Sequence, residues 1–168
     1  MKKALVIIDM QKDFVDGSLS NPDAQAIVTP IAQYAAAFDG DIIATRDTHG
    51  KDYLTTSEGK RLPVVHCVHG TPGWEIVPEI SNALTQKNGR IIDKPTFGNL
   101  DWELLNGYDE ITMVGTCTDI CVVSNALILK AKFPDMHLKV KADLCAGTTK
   151  ENHNAALAVM RCCQVELI

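Results

Sequence analysis

The stretch that decides the fold is Ile111-Thr-Met-Val-Gly-Thr-Cys-Thr-Asp-Ile-Cys-Val-Val-Ser-Asn-Ala126. Its first four residues are apolar or β-branched and predict a buried strand, and the small residues from Gly115 to Thr118 predict a tight turn. From Asp119 onward, apolar residues recur at helical spacing. A strand that turns directly into a helix presents the first helical residues at the carboxyl edge of a parallel sheet, which is where such sheets bind ligands.

Cys121 lies in the first turn of this predicted helix. The unpaired N–H groups and the positive end of the helix dipole favour a thiolate there and can also hold an oxyanion. The alternative is that Cys121 is a small buried apolar side chain, as most free cysteines are. The stretch by itself leaves both interpretations open.

Composition and charge restrict the class of protein. The 168 residues are 46% hydrophobic, which predicts one domain over residues 1–168 with a sizeable core. A formal charge of −5 without lysine or arginine runs argues against a nucleic-acid partner. The apolar run from Ala4 ends at Asp9, too early for an export signal or a membrane span. We therefore expect a cytoplasmic protein whose six cysteines are reduced, with no membrane partner.

Strand and helix patterns alternate along the whole chain. Strands are predicted at Ala4–Ile8, Asp41–Thr45, Ile91–Ile92, Ile111–Val114, Leu138–Val140 and Val165–Ile168. Helices are predicted at Pro22–Phe38, at Trp74–Gln86 with an interruption near Pro78, at Leu100–Leu105, from Asp119, and from the N-cap Thr149 to Arg161. The pattern predicts an α/β fold, a three-layer α/β/α doubly wound domain with a mainly parallel sheet of about six strands.

Three polar residues, Asp9, Lys94 and Cys121, fall at the carboxyl ends of separate predicted strands, which converge on one edge of a parallel sheet. A carboxylate can accept the proton of a thiol nucleophile. A neighbouring ammonium lowers the thiol pKa and keeps the carboxylate ionised. Each residue has a structural alternative on its own, such as Asp9 as a loop cap, but their shared position favours a cysteine nucleophile with its base.

A second group of polar residues has the composition of a metal site. Asp47-Thr-His49 follows the second strand, and His66 in the next loop would complete a facial set for a divalent ion. Glu58 is a candidate fourth ligand, direct or through water, and the nearby His69 competes with His66 for the assignment. The alternative is that Asp47 caps a loop and the histidines are ordinary polar loop residues.

Five ordered motifs lie along the chain between residues 7 and 122. They are Ile7-Ile-Asp-Met-Gln-Lys-Asp-Phe14, Asp47-Thr-His49, His66-Cys-Val-His-Gly-Thr-Pro-Gly73, Lys94-Pro-Thr-Phe-Gly98 and Gly115-Thr-Cys-Thr-Asp-Ile-Cys-Val122. The sequence resembles the isochorismatase-like cysteine hydrolases, and within them it is most similar to the nicotinamidases.

The resemblance implies a catalytic triad of Asp9, Lys94 and Cys121. It also implies an oxyanion hole built from the backbone N–H groups of Cys117 and Cys121, with a cis peptide joining Thr116 to Cys117. The implied reaction is hydrolysis of a small amide, nicotinamide first, to acid and ammonia through a thioester on Cys121. A homo-oligomer, dimer or tetramer, follows from the same resemblance.

The same resemblance also implies a metal site. Asp47, His49 and His66 are implied as ligands of zinc, with manganese or iron as alternatives, and Glu58 as a further ligand. In nicotinamidases the ion holds the pyridine nitrogen of the substrate, so its expected role is positioning rather than activation of water.

Some departures from the nicotinamidase pattern concern the substrate. Val15-Asp16-Gly17-Ser18 replaces Pro-Gly-Gly, Leu62 stands where a tryptophan often precedes the proline, and Gly50 follows the Asp-x-His motif in place of proline. Phe14 remains a predicted ring contact, and Trp74 or Phe97 is expected to replace the missing aromatic.

Other activities stay open at this point. Another small heteroaromatic or aliphatic amide is one alternative substrate. Hydrolysis of a vinyl ether such as isochorismate is a second, but it depends on protonation rather than a thiol, so the intact Cys121 argues against it. A non-catalytic binding protein on the same fold is the third, since a fold does not fix a function.

Overall fold

The computed structural model describes all residues, 1–168, and contains six β-strands and six α-helices. The strands are β1 Lys3–Ile8, β2 Asp41–Asp47, β3 Arg90–Lys94, β4 Glu110–Thr116, β5 His137–Ala146 and β6 Glu166–Leu167. The helices are α1 Lys12–Val15, α2 Pro22–Ala37, α3 Ser57–Arg61, α4 Pro78–Gln86, α5 Val123–Lys132 and α6 Lys150–Cys162. None of the helices has the length and apolar composition needed to cross a bilayer.

All six strands form one sheet in the order β3-β2-β1-β4-β5-β6, and every neighbouring pair is parallel. This confirms the predicted doubly wound α/β fold. The chain moves outward in one direction from β1 and in the other from β4, so the order reverses between these two strands. In open α/β sheets, the crevice beyond the carboxyl ends at such a reversal is the usual ligand site.

The central strand β1 divides the core into two layers. Its residues Ala4–Ile8 are completely buried, as expected for a parallel strand that is covered on both faces. Leu5 and Ile7 pack in the layer formed with α2 and α4. Ala4, Val6 and Ile8 pack in the opposite layer, with α5 and α6. The alternation follows from successive side chains pointing to opposite faces of a strand.

Two helix starts follow sequence signals, and a third corrects a prediction. Asn21 caps α2 by accepting the Asp23 N–H, and Thr149 caps α6 by accepting the Asn152 N–H, the latter as predicted. The helix predicted over Trp74–Gln86 with an interruption near Pro78 is wrong only in its first part. Residues Pro72–Trp74 form a separate 3₁₀ turn, and α4 begins at Pro78, which suits the first turn because it has no N–H to leave unpaired.

Three other boundaries differ from the prediction. Strand β5 continues to Ala146 rather than ending at Val140, since alternating Lys141 and Asp143 hid its apolar period. The segment after β2, predicted as loop, contains a 3₁₀ turn at Tyr53–Thr55 and then α3. The short helix predicted at Leu100–Leu105 is only a 3₁₀ turn over Glu103–Leu105.

The stretch that follows β4 turns tightly into its helix. Residues Thr118–Val122 form a π-helical turn that leads directly into α5. Gly115, near the end of β4, has a φ of +121°, and a Cβ there would lie 2.2 Å from the Ile8 carbonyl oxygen. Only glycine fits this position, because it tolerates positive φ and close backbone approach. It brings the end of β4 against the end of β1.

Replacement of Ile80 by alanine tests the packing of α4 on the sheet. Ile80 is fully buried, so I80A should lower the free energy of unfolding by about 2–5 kcal/mol through lost burial and a cavity. The matched variant I91A, at a side chain 46% exposed on β3, should cost less than about 1 kcal/mol. Urea unfolding followed by circular dichroism measures both, and equal losses would contradict the described core.

Candidate active site

The strand ends bring the predicted catalytic residues together. Asp9 directly follows β1, Lys94 is the last residue of β3, and Cys121 lies in the π-helical turn after β4. Asp47, the last residue of β2, pairs in register with Lys94. The carboxyl edge of the sheet therefore holds both the proposed triad and the first proposed metal ligand.

The Lys94 ammonium is the common contact of the site. It is fully buried and lies 2.7 Å from Asp9 Oδ2, 3.5 Å from Asp47 Oδ1 and 3.7 Å from Cys121 Sγ. It also donates a hydrogen bond of 3.1 Å to the Thr96 carbonyl. Burial opposes its charge, but the neighbouring carboxylates, Asp9 first and then Asp47, outweigh burial and raise the pKa of Lys94 above its ordinary value. Lys94 therefore remains an ammonium that joins the three groups.

Asp9 is placed to act as a base. Its carboxylate is completely buried, and burial raises its pKa, while Lys94 and the Thr45 hydroxyl act in the opposite direction. Oδ1 accepts a 2.6 Å hydrogen bond from the Thr45 hydroxyl. Oδ2 lies beside Lys94 but has no well-aligned hydrogen bond. A buried carboxylate with a raised pKa, and with one oxygen not held by the Thr45 hydroxyl, is suited to accept a proton and return it.

Cys121 differs from the sequence prediction in its protonation. Its side chain is 4% exposed, and burial, followed by the Asp9 charge, raises the pKa of the thiol well above its ordinary value even though Lys94 lowers it. The Lys94 ammonium therefore does not bring the pKa of the buried thiol below its ordinary value. A neutral thiol needs a base to become a nucleophile, and the Asp9 carboxylate, which shares the Lys94 ammonium with Cys121, is the candidate for that base.

The oxyanion hole predicted from the backbone of Cys117 and Cys121 stays a prediction, and two features of the backbone bear on it. The peptide bond between Thr116 and Cys117 is cis, which confirms the prediction. The N–H of Cys117 donates to no atom of the chain, so it is available to a developing negative charge. The N–H of Cys121 lies within the π-helical turn Thr118–Val122.

Four side chains form a compact donor cluster next to Lys94. One donor atom from each of Asp47, His49, Glu58 and His66 lies within 4.8 Å of the others. The aspartate and both histidines are buried, and Glu58 is partly exposed. His69 lies outside the cluster, where its ring packs against the Trp74 ring. The structure therefore favours His66 over His69 as the metal ligand.

The two histidines have ring nitrogens free for an ion. Nδ1 of His66 lies 2.8 Å from the Val64 carbonyl, so Nδ1 carries the hydrogen and the Nε2 lone pair points into the cluster. Nε2 of His49 is buried without a hydrogen bond, although Asp47 Oδ2 is only 2.8 Å away. Two imidazoles and two carboxylates fit a divalent ion of the zinc, manganese or iron type.

The three aromatic residues predicted as substrate contacts have different surroundings. The Phe14 ring lies 5.6 Å from the His66 ring, at the metal cluster. The Phe97 ring is 42% exposed, on the loop that follows Lys94. Trp74 stacks under the Arg46 guanidinium and donates to the Thr48 hydroxyl. Their contact with substrate stays a prediction.

Two supporting residues near the metal cluster were not found from the sequence. The Gln11 amide donates to the carbonyls of Asp47 and Trp74, at 2.9 and 2.8 Å, and accepts the Asp47 N–H at 2.7 Å. The Asp13 carboxylate accepts the N–H of Cys67, the residue after His66, at 2.7 Å. Both belong to the first motif, but nothing in the sequence indicates which backbone groups they bind.

Asn125 is a third such residue, on the nucleophile side. Its amide donates to the carbonyls of Cys121 and Phe97, at 2.8 and 3.1 Å, and accepts the N–H of Asn99 at 2.8 Å. It is completely buried in α5. One side chain thus fastens the loop that carries Phe97 to the turn that carries Cys121.

The chain is similar to nicotinamidases and pyrazinamidases along nearly its whole length. The chain is 30% identical over 184 residues to the nicotinamidase/pyrazinamidase of Mycobacterium tuberculosis, covering 99% of this chain and 98% of that protein. It is 26% identical to a nicotinamidase of Schizosaccharomyces pombe, covering 98% and 92%. The crystal structure of the Pyrococcus horikoshii pyrazinamidase in complex with zinc superposes with a TM-score of 0.82 at 26% identity, over 100% and 99% of the two chains.

The family assignment rests on the length of the match as well as on the site. The sequence profile of the isochorismatase domain matches residues 3–168, which includes every strand, every helix and all the catalytic and metal-site candidates. The chain belongs to the isochorismatase domain family.

Proposed function

We propose that this protein is a hydrolase that converts nicotinamide to nicotinate and ammonia through a thioester on Cys121. The observation that carries the proposal is the set of contacts made by the buried Lys94 ammonium. It lies beside the proposed base Asp9, the Cys121 thiol and Asp47, a carboxylate of the proposed metal site. The names of the relatives, nicotinamidase and pyrazinamidase, supply the substrate class, an amide on a nitrogen heteroaromatic ring.

The first half of the reaction forms the thioester. Asp9 Oδ2 takes the thiol proton, and the electron pair left on Cys121 Sγ attacks the amide carbonyl carbon. The negative charge moves to the carbonyl oxygen, where the backbone N–H groups of Cys117 and Cys121 stabilise it. When the C–N bond breaks, Asp9 returns the proton to the leaving nitrogen and ammonia departs. Lys94 stays protonated throughout and stabilises the negative charge on Asp9 or on Cys121, whichever carries it.

The second half of the reaction releases the acid. Asp9 takes a proton from a water molecule, whose oxygen attacks the thioester carbon. The same N–H groups stabilise the second oxyanion, and its collapse breaks the C–S bond. Asp9 then returns the proton to Cys121, so the enzyme is restored and one water has been consumed for each amide.

In this proposal the donor cluster of Asp47, His49, Glu58 and His66 holds a divalent ion, with zinc as the first candidate. When bound, the ion supplies a Lewis acid for the pyridine nitrogen of the substrate and so fixes the ring. Phe14 beside His66, and Phe97 or Trp74, are the proposed ring contacts. The 3.5 Å distance between Asp47 Oδ1 and Lys94 Nζ supports a ring-binding position next to the reacting carbonyl.

In this proposal, residues 1–168 form one catalytic domain. We also propose that the protein is cytoplasmic, supported by six free thiols, which are typical of a reducing compartment. A homo-oligomer, dimer or tetramer, is proposed from the family alone. Analytical ultracentrifugation that detected only an 18.3 kDa species would rule out the proposed oligomer.

Ammonia release from nicotinamide by the purified, zinc-loaded protein tests the reaction directly. C121A should lower the rate by at least about a thousandfold, because loss of a nucleophile removes the covalent route. C162A, at an exposed thiol on α6, is the matched control and should retain the wild-type rate. No release by the wild-type protein would rule out nicotinamide, and full activity of C121A would rule out the thioester.

Glutamine at position 58 tests the metal cluster. E58Q removes a carboxylate whose Oε1 lies 3.8 Å from Nε2 of both His49 and His66, so zinc affinity should fall at least about tenfold. E79Q, at an exposed glutamate of α4, should bind zinc as the wild type does. Competition with a chromophoric chelator measures the affinity. Equal affinity of E58Q and wild type would reduce the ligand set to Asp47, His49 and His66.

A further inference from the structure

Thr45 makes two hydrogen bonds to the same neighbouring residue, the base Asp9. The Asp9 N–H donates to Thr45 Oγ1 at 3.2 Å, and the Thr45 hydroxyl donates to Asp9 Oδ1 at 2.6 Å. Thr45 is completely buried in β2, beside β1. Asp9 itself has a φ of +47°, a conformation that few residues other than glycine adopt. The hydroxyl of Thr45 thus holds both the backbone and the carboxylate of Asp9 in an uncommon conformation.

The two bonds fix the direction of the hydroxyl hydrogen. An N–H can only donate, so Oγ1 must be its acceptor, and the single hydroxyl hydrogen is left for Oδ1. Were Oδ1 to carry the proton, it would have to donate to Oγ1, and the Thr45 hydrogen would be buried without an acceptor. That arrangement is unfavourable, because an unpaired buried donor costs about 1–3 kcal/mol.

The other oxygen of Asp9 is in a different position. Oδ2 lies 2.7 Å from Lys94 Nζ, without a well-aligned hydrogen bond. The same Nζ lies 3.7 Å from Cys121 Sγ. Oδ2 is therefore on the side of the reacting groups, and it is the oxygen with capacity for a proton.

We propose that Thr45 is a positioning residue that keeps Asp9 Oδ1 an acceptor and so directs each transferred proton to Oδ2. The inference rests on the proposed function, in which Asp9 is the base. In each half-reaction the proton leaves Sγ or water, binds Oδ2, and moves on to the leaving nitrogen or sulfur. No bond to Thr45 forms or breaks.

Three variants of the zinc-loaded enzyme test this role. T45V removes the hydroxyl at nearly constant volume, T45S keeps it, and T112V makes the same change at a buried threonine of β4 away from the site. T45V should lower kcat for nicotinamide about 10- to 100-fold with KM within about twofold, since general-base catalysis contributes about 10²–10⁴ and only part depends on alignment. T45S and T112V should stay within about threefold of wild type.

The outcomes separate the proposal from a structural role. A wild-type kcat in T45V, or an equal loss in T45S and T45V, would overturn it, because the hydroxyl would then not be what acts. A rise in KM without a fall in kcat would overturn it as well. Where T45V does not fold, by circular dichroism, T45A removes the same hydroxyl in a smaller side chain and carries the same expectation.

A substrate-free readout separates this inference from the proposed function. Alkylation of Cys121 by iodoacetamide also requires removal of the thiol proton, so T45V should slow it about tenfold or more while T45S does not. The exposed Cys162, counted in the same digest by mass spectrometry, is the internal reference. Unchanged Cys121 alkylation in T45V overturns the role of Thr45 even if no amide is hydrolysed, whereas slow alkylation without nicotinamide turnover overturns only the substrate.

Discussion

The buried ammonium of Lys94 is the constraint on which the rest of the site depends. An isolated buried charge costs several kcal/mol, so Lys94 is tolerated only with opposite charges beside it. Asp9 at 2.7 Å and Asp47 at 3.5 Å supply them. These two carboxylates belong to different halves of the site, the base and the metal cluster. The position of one side chain therefore sets the distance between the reacting thiol and the group that recognises the substrate ring.

The parallel sheet brings the catalytic and metal-site residues to one edge, and buried polar side chains fix their positions. Strands β1 to β4 end at one edge, and Gly115 allows β4 to approach β1 more closely than any other residue would. Gln11 and Asn125 then bind backbone groups of Asp47 and Cys121. Catalytic groups need such supporting contacts, because errors of about 1 Å in position reduce rates substantially.

The fold and the reactive residues could be predicted because their signals are local. Apolar runs mark the strands, and Asp9, Asp47 and Lys94 stand visibly at strand ends. The supporting residues could not, since Thr45 and Gln11 bind partners 36 positions away and resemble ordinary polar residues. The raised pKa of the Cys121 thiol could not be predicted for a related reason. The nearby ammonium can be inferred from the sequence, but burial, which outweighs the effect of the ammonium on the thiol pKa, is a product of tertiary packing.

The central claim is that Cys121 carries the acyl group during turnover, and rapid acid quench with peptide mass spectrometry tests it most directly. Zinc-loaded enzyme in excess over nicotinamide is quenched at a series of times and digested. We expect the peptide containing Cys121 to gain the mass of one nicotinoyl group before nicotinate accumulates and to lose it afterwards. Complete conversion of nicotinamide with the label on a different residue, or with no labelled peptide at any time, would contradict it.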